Sequence, residues 1–548
     1  MSARHGMVVT AQHLATQVGV NILKEGGNAV DAAVAVGYAL AVVDPCCGNI
    51  GGGGFMTLHL ANGKDLFLDF REKAPLAASP NMYLKPDGKV SSHRSLHTYL
   101  GVGVPGTVMG LDETLAKYGT MSLPQVLAPA IKLAKDGFKL EPGDVRLLDT
   151  STSAFRKHPN VAAIFLDHGQ PWKAGQVLKQ PQLAHTLELI AKGSTKAFYD
   201  GPIAAALVKA SEAHHGLLTL KDFADYTAPW SKPLACDYHG YTIWTAPPPG
   251  GGTTICETLR ILAPYPLAKW GFHSLKSAHY FIEAERHAFA DRNTYLGDPA
   301  FVHNPIAELL SPEHVAKIRA DIQPDKATPS SEVKGSLGPH QSMNTTHYSI
   351  VDGHGNAVAV TYTVNSFFGL KQIAGTTGFF LNNEMNDFTS KPGVPNQFGL
   401  VQGKANDIQP GKRPLSSMSP TIVTRDGKLV MVAGSPGGST IISTTMESIL
   451  NVIEYHMNLK QAIDAPRIHM QWYPDEVIAE PGSFTPAVQD GLEKMGYKID
   501  YGFQYKSHGK TFTVRHLGDV EAIVVNSKTG MLEGINDPRY PAGLAEGY

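Results

Sequence analysis

The chain has 548 residues, 43% of them hydrophobic and 18% charged, enough apolar material for a large core and too little charge for a disordered or coiled-coil protein. A formal charge of −2, without any run of Lys or Arg, excludes a general attraction to nucleic acid or anionic lipid. The four cysteines, Cys46, Cys47, Cys236 and Cys256, are too few for a disulfide scaffold and lack C-x-x-C zinc spacing; two buried thiols are expected at Cys46 and Cys47, and the redox compartment stays open.

In chain order, Met1 to Gly6 has one Arg and no apolar stretch, so no secretory signal is read there. Leu14, Val18, Ile22 and Leu23 recur at near-helical spacing, and Gly26-Gly27 stops that helix. Ala29 to Val43 is apolar for 15 residues but includes Asp31 and Gly37; a bilayer span takes about 20, so this reads as a buried helix. Gly51 to Gly54 invites a phosphate cradle, yet a P-loop needs G-K-[ST] and Phe55-Met56-Thr57 follows, so close backbone packing is expected.

From about 105 to 320 the pattern is mostly helical, broken at Pro247 to Gly252. Glu283 and His287 lie four apart on one helical face, a spacing that could hold a metal; without a second His or carboxylate motif, an ordinary i,i+4 pair is expected. Asp321 to Ser342, rich in Pro, Ser and Gly, reads as a linker or exposed loop. The period then switches to two. His347 to Asp352, Gly353-His354-Gly355 and Ala357 to Thr363 form a hairpin, and Thr421 to Thr424, Asp426-Gly427 and Leu429 to Ala433 form another, followed by a helix from Thr440 to Met457. No internal repeat is present, and one compact body is expected despite the length.

A polar loop ending at Asn344, with Thr345 opening a strand, suits a threonine that becomes a new N-terminus. Its hydroxyl would attack the preceding carbonyl, an ester would form, and water would release it. The freed α-amine, with a pKa of about 7.7–8.0, could then serve as base for the adjacent hydroxyl. A rival nucleophile is Ser435, because Gly434-Ser435-Pro436-Gly437 is close to the G-x-S-x-G elbow between a strand and a helix. That elbow uses the N–H of the residue after the serine, and Pro436 has none.

These residues carry a family resemblance. Thr345-Thr346-His347-Tyr348-Ser349, Asp352 with Gly355 to Thr363, Arg413-Pro414-Leu415-Ser416-Ser417-Met418-Ser419-Pro420-Thr421 and Gly434-Ser435-Pro436-Gly437-Gly438 resemble γ-glutamyltransferase motifs. So do Gly26 to Ala32, Gly51 to Phe55, Asp69-Phe70-Arg71-Glu72 and Ala290-Asp291-Arg292. The resemblance implies an α+β fold of the N-terminal-nucleophile hydrolase type, a four-layer αββα sandwich. It implies self-cleavage at Asn344–Thr345 into a large fragment, 1–344, and a small catalytic one, 345–548, held as a heterodimer.

It also implies Thr345 as nucleophile, with Thr363 hydrogen-bonded to it and Gly437 and Gly438 as the oxyanion hole. Arg71, Ser416 and Ser417 would hold the α-carboxylate of a γ-glutamyl donor such as glutathione, and Asn365, Glu384 and Asp387 its ammonium; strand alternation would put Thr363 and Asn365 on one face. Acceptors would be water, amino acids or dipeptides. No metal or organic cofactor is implied, nor nucleic acid or membrane as partner, and the implied location is periplasmic or secreted. Glu384 stands where the family pattern also admits Gln. Phe398, within Pro392 to Gly403, occupies the place of a gating tyrosine without its hydroxyl. The competing readings are a cephalosporin or glutaryl amide acylase of the same fold, and a non-catalytic homologue that binds glutamyl peptides.

Overall fold

The computed structural model describes residues 1–333, 345–507, 510–514 and 516–548. Its centre is a pair of seven-stranded sheets. In chain order their strands are β1 (Ser2–Ala3), β2 (Gly6–Thr10), β3 (Gly53–His59), β4 (Asp65–Phe70), β5 (Trp230–Ser231), β6 (Leu234–Tyr238), β7 (Tyr241–Thr245), β8 (Thr346–Asp352), β9 (Ala357–Thr363), β10 (Thr421–Arg425), β11 (Lys428–Ala433), β12 (Glu521–Val525), β13 (Leu532–Asn536) and β14 (Leu544–Gly547). The first sheet runs β14-β2-β8-β9-β3-β4-β5 and the second β1-β13-β12-β11-β10-β7-β6. Every pairing in both is antiparallel.

Period-two alternation builds the layers. In β2 and β9, Met7, Val9, Ala357 and Ala359 face inward and pack on Ile422, Val432, Ile523 and Leu532 of the other sheet. Their neighbours Val8, Val358 and Val360 face the opposite way, into a core shared with α1 (His13–Lys24) and α2 (Ala29–Val43). On the outer face of the second sheet, Ile243, Val423 and Met431 pack under α3 (Gly252–Leu262), α4 (Leu275–Tyr295) and α5 (Ile441–Ile453). The order is helix, sheet, sheet, helix: the expected αββα sandwich, one body around a shared interior.

The expected buried helix is α2, with those same bounds and every residue buried. Asn28 and Asp31 form its capping box, and Asp31 also accepts from Thr120 and Met121, which explains an acid inside an apolar run. None of the helices among the described residues is long and apolar enough to cross a membrane.

Four expectations need correction. The cysteines are paired, Cys46 with Cys47 and Cys236 with Cys256, so Cys46 and Cys47 are not two thiols. Residues 322–333 are no free linker: Ser330 is wholly buried, donates to Trp472 O at 2.5 Å and takes the Arg286 guanidinium. The rest of that stretch, with Asn344 of the expected cleavage site, lies outside the described residues. The mostly helical region also contributes two strands, β6 and β7, to the second sheet. Finally, β10 and β11 form the expected hairpin but with a register shift after Val423.

The i,i+4 pairing expected of Glu283 and His287 needs correction too: Glu283 instead accepts from Tyr497 Oη at 2.7 Å and from Thr328 N, and lies against the Arg286 guanidinium. The close backbone packing expected at Gly51 to Gly54 is borne out. The four glycines are packed against backbone. A Cβ on Gly51 would lie 2.1 Å from Phe380 O, on Gly52 1.8 Å from Thr363 O, on Gly53 2.5 Å from Phe70 O and on Gly54 2.4 Å from Thr361 O.

Candidate active site

Thr345 stands at the head of β8, beside the end of β9, where Thr346 pairs with Tyr362. Its Oγ1 donates to Thr363 Oγ1 at 3.3 Å, and that oxygen also accepts the Asn365 N–H at 2.9 Å. A hydroxyl whose proton is drawn toward a second hydroxyl is a better nucleophile than a free one. Asn365 reaches the site by a different route from strand alternation. It lies beyond β9 with φ of 73°, and its Nδ2 donates to Asn383 O at 2.8 Å.

Thr345, Thr363 and Asn365 line a cavity with Arg71, Arg292, Glu384, Asp387, Phe398, Leu400, Leu415, Ser416, Ser417, Met418, Gly438 and Ile441. Of the candidate residues, Gly437 lies next to this lining and Asn344 is outside the described residues. Gly437 and Gly438 have φ of 137° and 58°, a conformation that favours glycine and turns the backbone just before α5. Ser435 points elsewhere: its Oγ donates to Pro436 O at 2.6 Å and accepts Asp519 N–H at 2.9 Å.

One end of the cavity is densely charged. Arg71, just past β4, is fully buried; its Nη1 donates to Glu384, its Nη2 to Asp387 at 2.6 Å and its Nε to Pro414 O at 3.3 Å, with Glu72 3.5 Å away. Burial would lower the Arg71 pKa, but Glu384, Asp387 and Glu72 together carry it above the usual value. Burial pushes all three acids up, against the pull of Arg71, with Glu72 at about 7. Three acids around one guanidinium cannot all ionise cheaply; the arginine stays charged and the cluster retains a proton.

Ser416 and Ser417 sit beside this cluster. Ser416 Oγ accepts Met418 N–H at 3.1 Å, and Ser417 Oγ accepts Arg292 Nη2–H at 3.1 Å. Each hydroxyl therefore keeps its own proton to donate. The Pro392 to Gly403 segment covers the cavity: Phe398 is buried, Gln471 Nε2 donates to its carbonyl at 3.0 Å, and Ser366 Oγ donates to Gln397 Oε1 at 2.9 Å. No role was read in the sequence for Glu72 or Arg292. Both lie in stretches that carry the family resemblance, Asp69 to Glu72 and Ala290 to Arg292, and α4 buries Arg292 together with Glu283, Glu285 and Arg286.

Two antiparallel sheets between helical layers, with a threonine heading a central strand over a polar cavity, define an N-terminal-nucleophile hydrolase. The chain belongs to the γ-glutamyltranspeptidase family, whose profile, described as "Gamma-glutamyltranspeptidase", matches residues 15–546. It is 53% identical to a glutathione hydrolase proenzyme of Pseudomonas sp. (strain A14), over 100% of this chain and 95% of that one. It is 46% identical to the glutathione hydrolase proenzyme of Escherichia coli (strain K12), over 100% and 92%. Among solved structures it resembles a cephalosporin acylase from Bacillus halodurans, with a TM-score of 0.86, 27% identity and coverage of 100% of this chain and 96% of that one.

Proposed function

We propose that this protein is a γ-glutamyltransferase and glutathione hydrolase that activates itself by cutting Asn344–Thr345. The observation that carries this is a single cavity with the Thr345 hydroxyl at one end and, at the other, a guanidinium, carboxylates and two serine hydroxyls. A γ-glutamyl group has the matching pattern: an electrophilic carbonyl at one end, a carboxylate and an ammonium at the other. Within the chain Arg71 pairs with both Glu384 and Asp387. A zwitterionic donor would replace those contacts pair for pair, its carboxylate meeting Arg71, Ser416 and Ser417 and its ammonium meeting Asn365, Glu384 and Asp387, so that no buried charge is left alone.

In activation, Thr345 Oγ1 attacks the carbonyl of residue 344 and the C–N bond breaks, which frees the Thr345 amine as the peptide bond becomes an ester; water then cleaves the ester, releasing the carboxylate of residue 344 and the Thr345 hydroxyl. In turnover that amine takes the hydroxyl proton as Oγ1 attacks the donor's γ-carbonyl. The Gly437 and Gly438 N–H groups hold the oxyanion, and the departing amine receives the proton. Water or an acceptor amine, from an amino acid or dipeptide, then releases the glutamyl group. The two fragments, 1–344 and 345–548, remain one heterodimer, because Arg71 of the first is buried against Glu384 and Asp387 of the second. Two disulfides favour an oxidising compartment, periplasmic or extracellular.

Likeness to a cephalosporin acylase leaves an amide acylase of the same fold as the alternative. The Glu384 and Asp387 carboxylates argue for the glutamyl donor, since a glutaryl chain has no ammonium to meet them. The test is turnover of a γ-glutamyl anilide, with and without an acceptor dipeptide, by wild type and by Thr345→Ala. Wild type should run as two fragments and release the aniline, whereas Thr345→Ala should stay as one inactive chain. Fragments with a new terminus at residue 345 in Thr345→Ala would sink the autocatalytic account, and wild-type preference for a glutaryl over a glutamyl anilide would favour the acylase.

A further inference from the structure

The two guanidinium groups that line the cavity are in opposite electrostatic circumstances. Arg71 touches three acids. Arg292, near the end of α4, is 1% exposed, and among the described residues no carboxylate lies within ion-pair distance of it. Its Nη1 donates to Asn293 Oδ1 at 2.8 Å, its Nη2 to Ser417 Oγ at 3.1 Å, and its buried Nε has no hydrogen-bond partner. The adjacent Asp291 does not neutralise it, because that carboxylate turns to His314 Nε2 at 2.7 Å. A guanidinium left this way at a cavity wall is a positive charge awaiting an anion. Burial and nearby Arg71 lower its pKa, and Asp387 holds it up, leaving it at about 10, so it stays charged at neutral pH.

We propose that Arg292 is a positioning residue for the carboxylate end of the donor. It holds the Ser417 oxygen from behind, so that the Ser417 proton points into the cavity, and it supplies the positive charge that Arg71, engaged with three acids, cannot supply alone. Arg292 does not touch the donor; it acts through Ser417, across the boundary between the two fragments. A purely structural role would weaken every donor alike, whereas this role weakens only donors that carry the carboxylate.

The inference rests on the γ-glutamyl reading, and its test separates the two. Self-processed wild type, Arg292→Gln, Arg292→Lys, Ser417→Ala and the Arg292→Gln/Ser417→Ala double variant are assayed on a γ-glutamyl anilide and on the matched donor whose α-carboxylate is an α-carboxamide. Wild type should prefer the carboxylate donor. Arg292→Gln and Ser417→Ala should each cut that preference about ten-fold or more through KM, with kcat little changed. The double variant should be no worse than the weaker single, since one residue acts through the other. Arg292→Lys, which keeps the charge but not the fork, should fall between wild type and Arg292→Gln. An unchanged preference in Arg292→Gln, equal losses on both donors, or effects that multiply in the double variant would overturn the role. Should Arg292→Gln fail to fold or process, an unchanged preference in Arg292→Lys and Ser417→Ala would overturn it equally. A wild type that turns over neither anilide defeats the functional reading itself.

Discussion

Arg71 has a fork that suits the chain's own carboxylates and a donor's carboxylate alike. Its fork now spans Glu384 and Asp387, and the planar geometry that fits two carboxylates also fits one donor carboxylate bidentately. Arg71→Lys keeps the charge and loses the fork. KM for a γ-glutamyl anilide should then rise about ten-fold or more, the loss of a charge-assisted contact of about 1.5–3 kcal/mol, while self-cleavage proceeds. Wild-type KM in Arg71→Lys would remove Arg71 from donor binding. The residue was legible in the sequence as part of Asp69-Phe70-Arg71-Glu72, and so was its suitability for a carboxylate. Glu384 and Asp387 were named only through the family resemblance, as partners of the ammonium; their direct pairing with Arg71 was not legible, because they come from more than 300 positions away, and Glu72 offers no pattern of its own.

At the scale of elements, the proposed nucleophile, Thr345, is aimed by strands that meet a glycine run. Gly52 lets β3 approach the end of β9 so closely that a Cβ there would sit 1.8 Å from Thr363 O, and Thr363 Oγ1 is the acceptor of the Thr345 hydroxyl. Gly52→Ala should therefore push Thr363 off line and slow self-cleavage about 100-fold, the penalty typical of an ångström of misplacement in a reacting pair, with circular dichroism close to wild type. Wild-type processing kinetics in Gly52→Ala would show that the strand end absorbs the methyl group. Close backbone packing could be read from four glycines lacking a P-loop sequence; the partner, a carbonyl 311 residues downstream, could not. The same limit explains β6 and β7, a hairpin turning at His239-Gly240 amid helical sequence, and the Cys236–Cys256 bridge, which joins β6 to α3. Alternation was read as putting Thr363 and Asn365 on one face, but β9 ends at Thr363 and Asn365 enters the site through a positive φ, which alternation does not foresee.

For the whole molecule, the interior between the two sheets is apolar at one end and polar nearer the site, and His347 marks the change. It lies on β8, fully buried, with Nδ1 on Thr361 Oγ1 at 2.8 Å and Nε2 on Ser349 Oγ at 3.1 Å. Gly434 after β11 of the facing sheet gives it room, since a Cβ there would be 2.3 Å from the ring. Ser349 Oγ donates in turn to Glu521 O of β12 at 2.8 Å, so the contact crosses between sheets. Burial lowers the His347 pKa to about 3, while an unfolded histidine titrates near 6.5. The folded state thus favours the neutral ring. The associated stability is complete above about pH 6.5 and is lost as the pH falls toward about 3, on the order of 3 kcal/mol by pH 4. The buried acids with raised values, such as Glu521, work in the opposite direction, losing stability as the pH rises, so the bare acid limb of wild type mixes both. His347→Gln isolates one of them: its amide can still donate and accept, but it cannot gain a proton. Apparent unfolding temperatures measured from pH 8 to pH 4 at one scan rate should fall more steeply for wild type than for His347→Gln, with the gap opening below about pH 6.5. Parallel curves would mean that the ring is protonated without cost, and that the two sheets do not rely on a neutral His347 to stay packed.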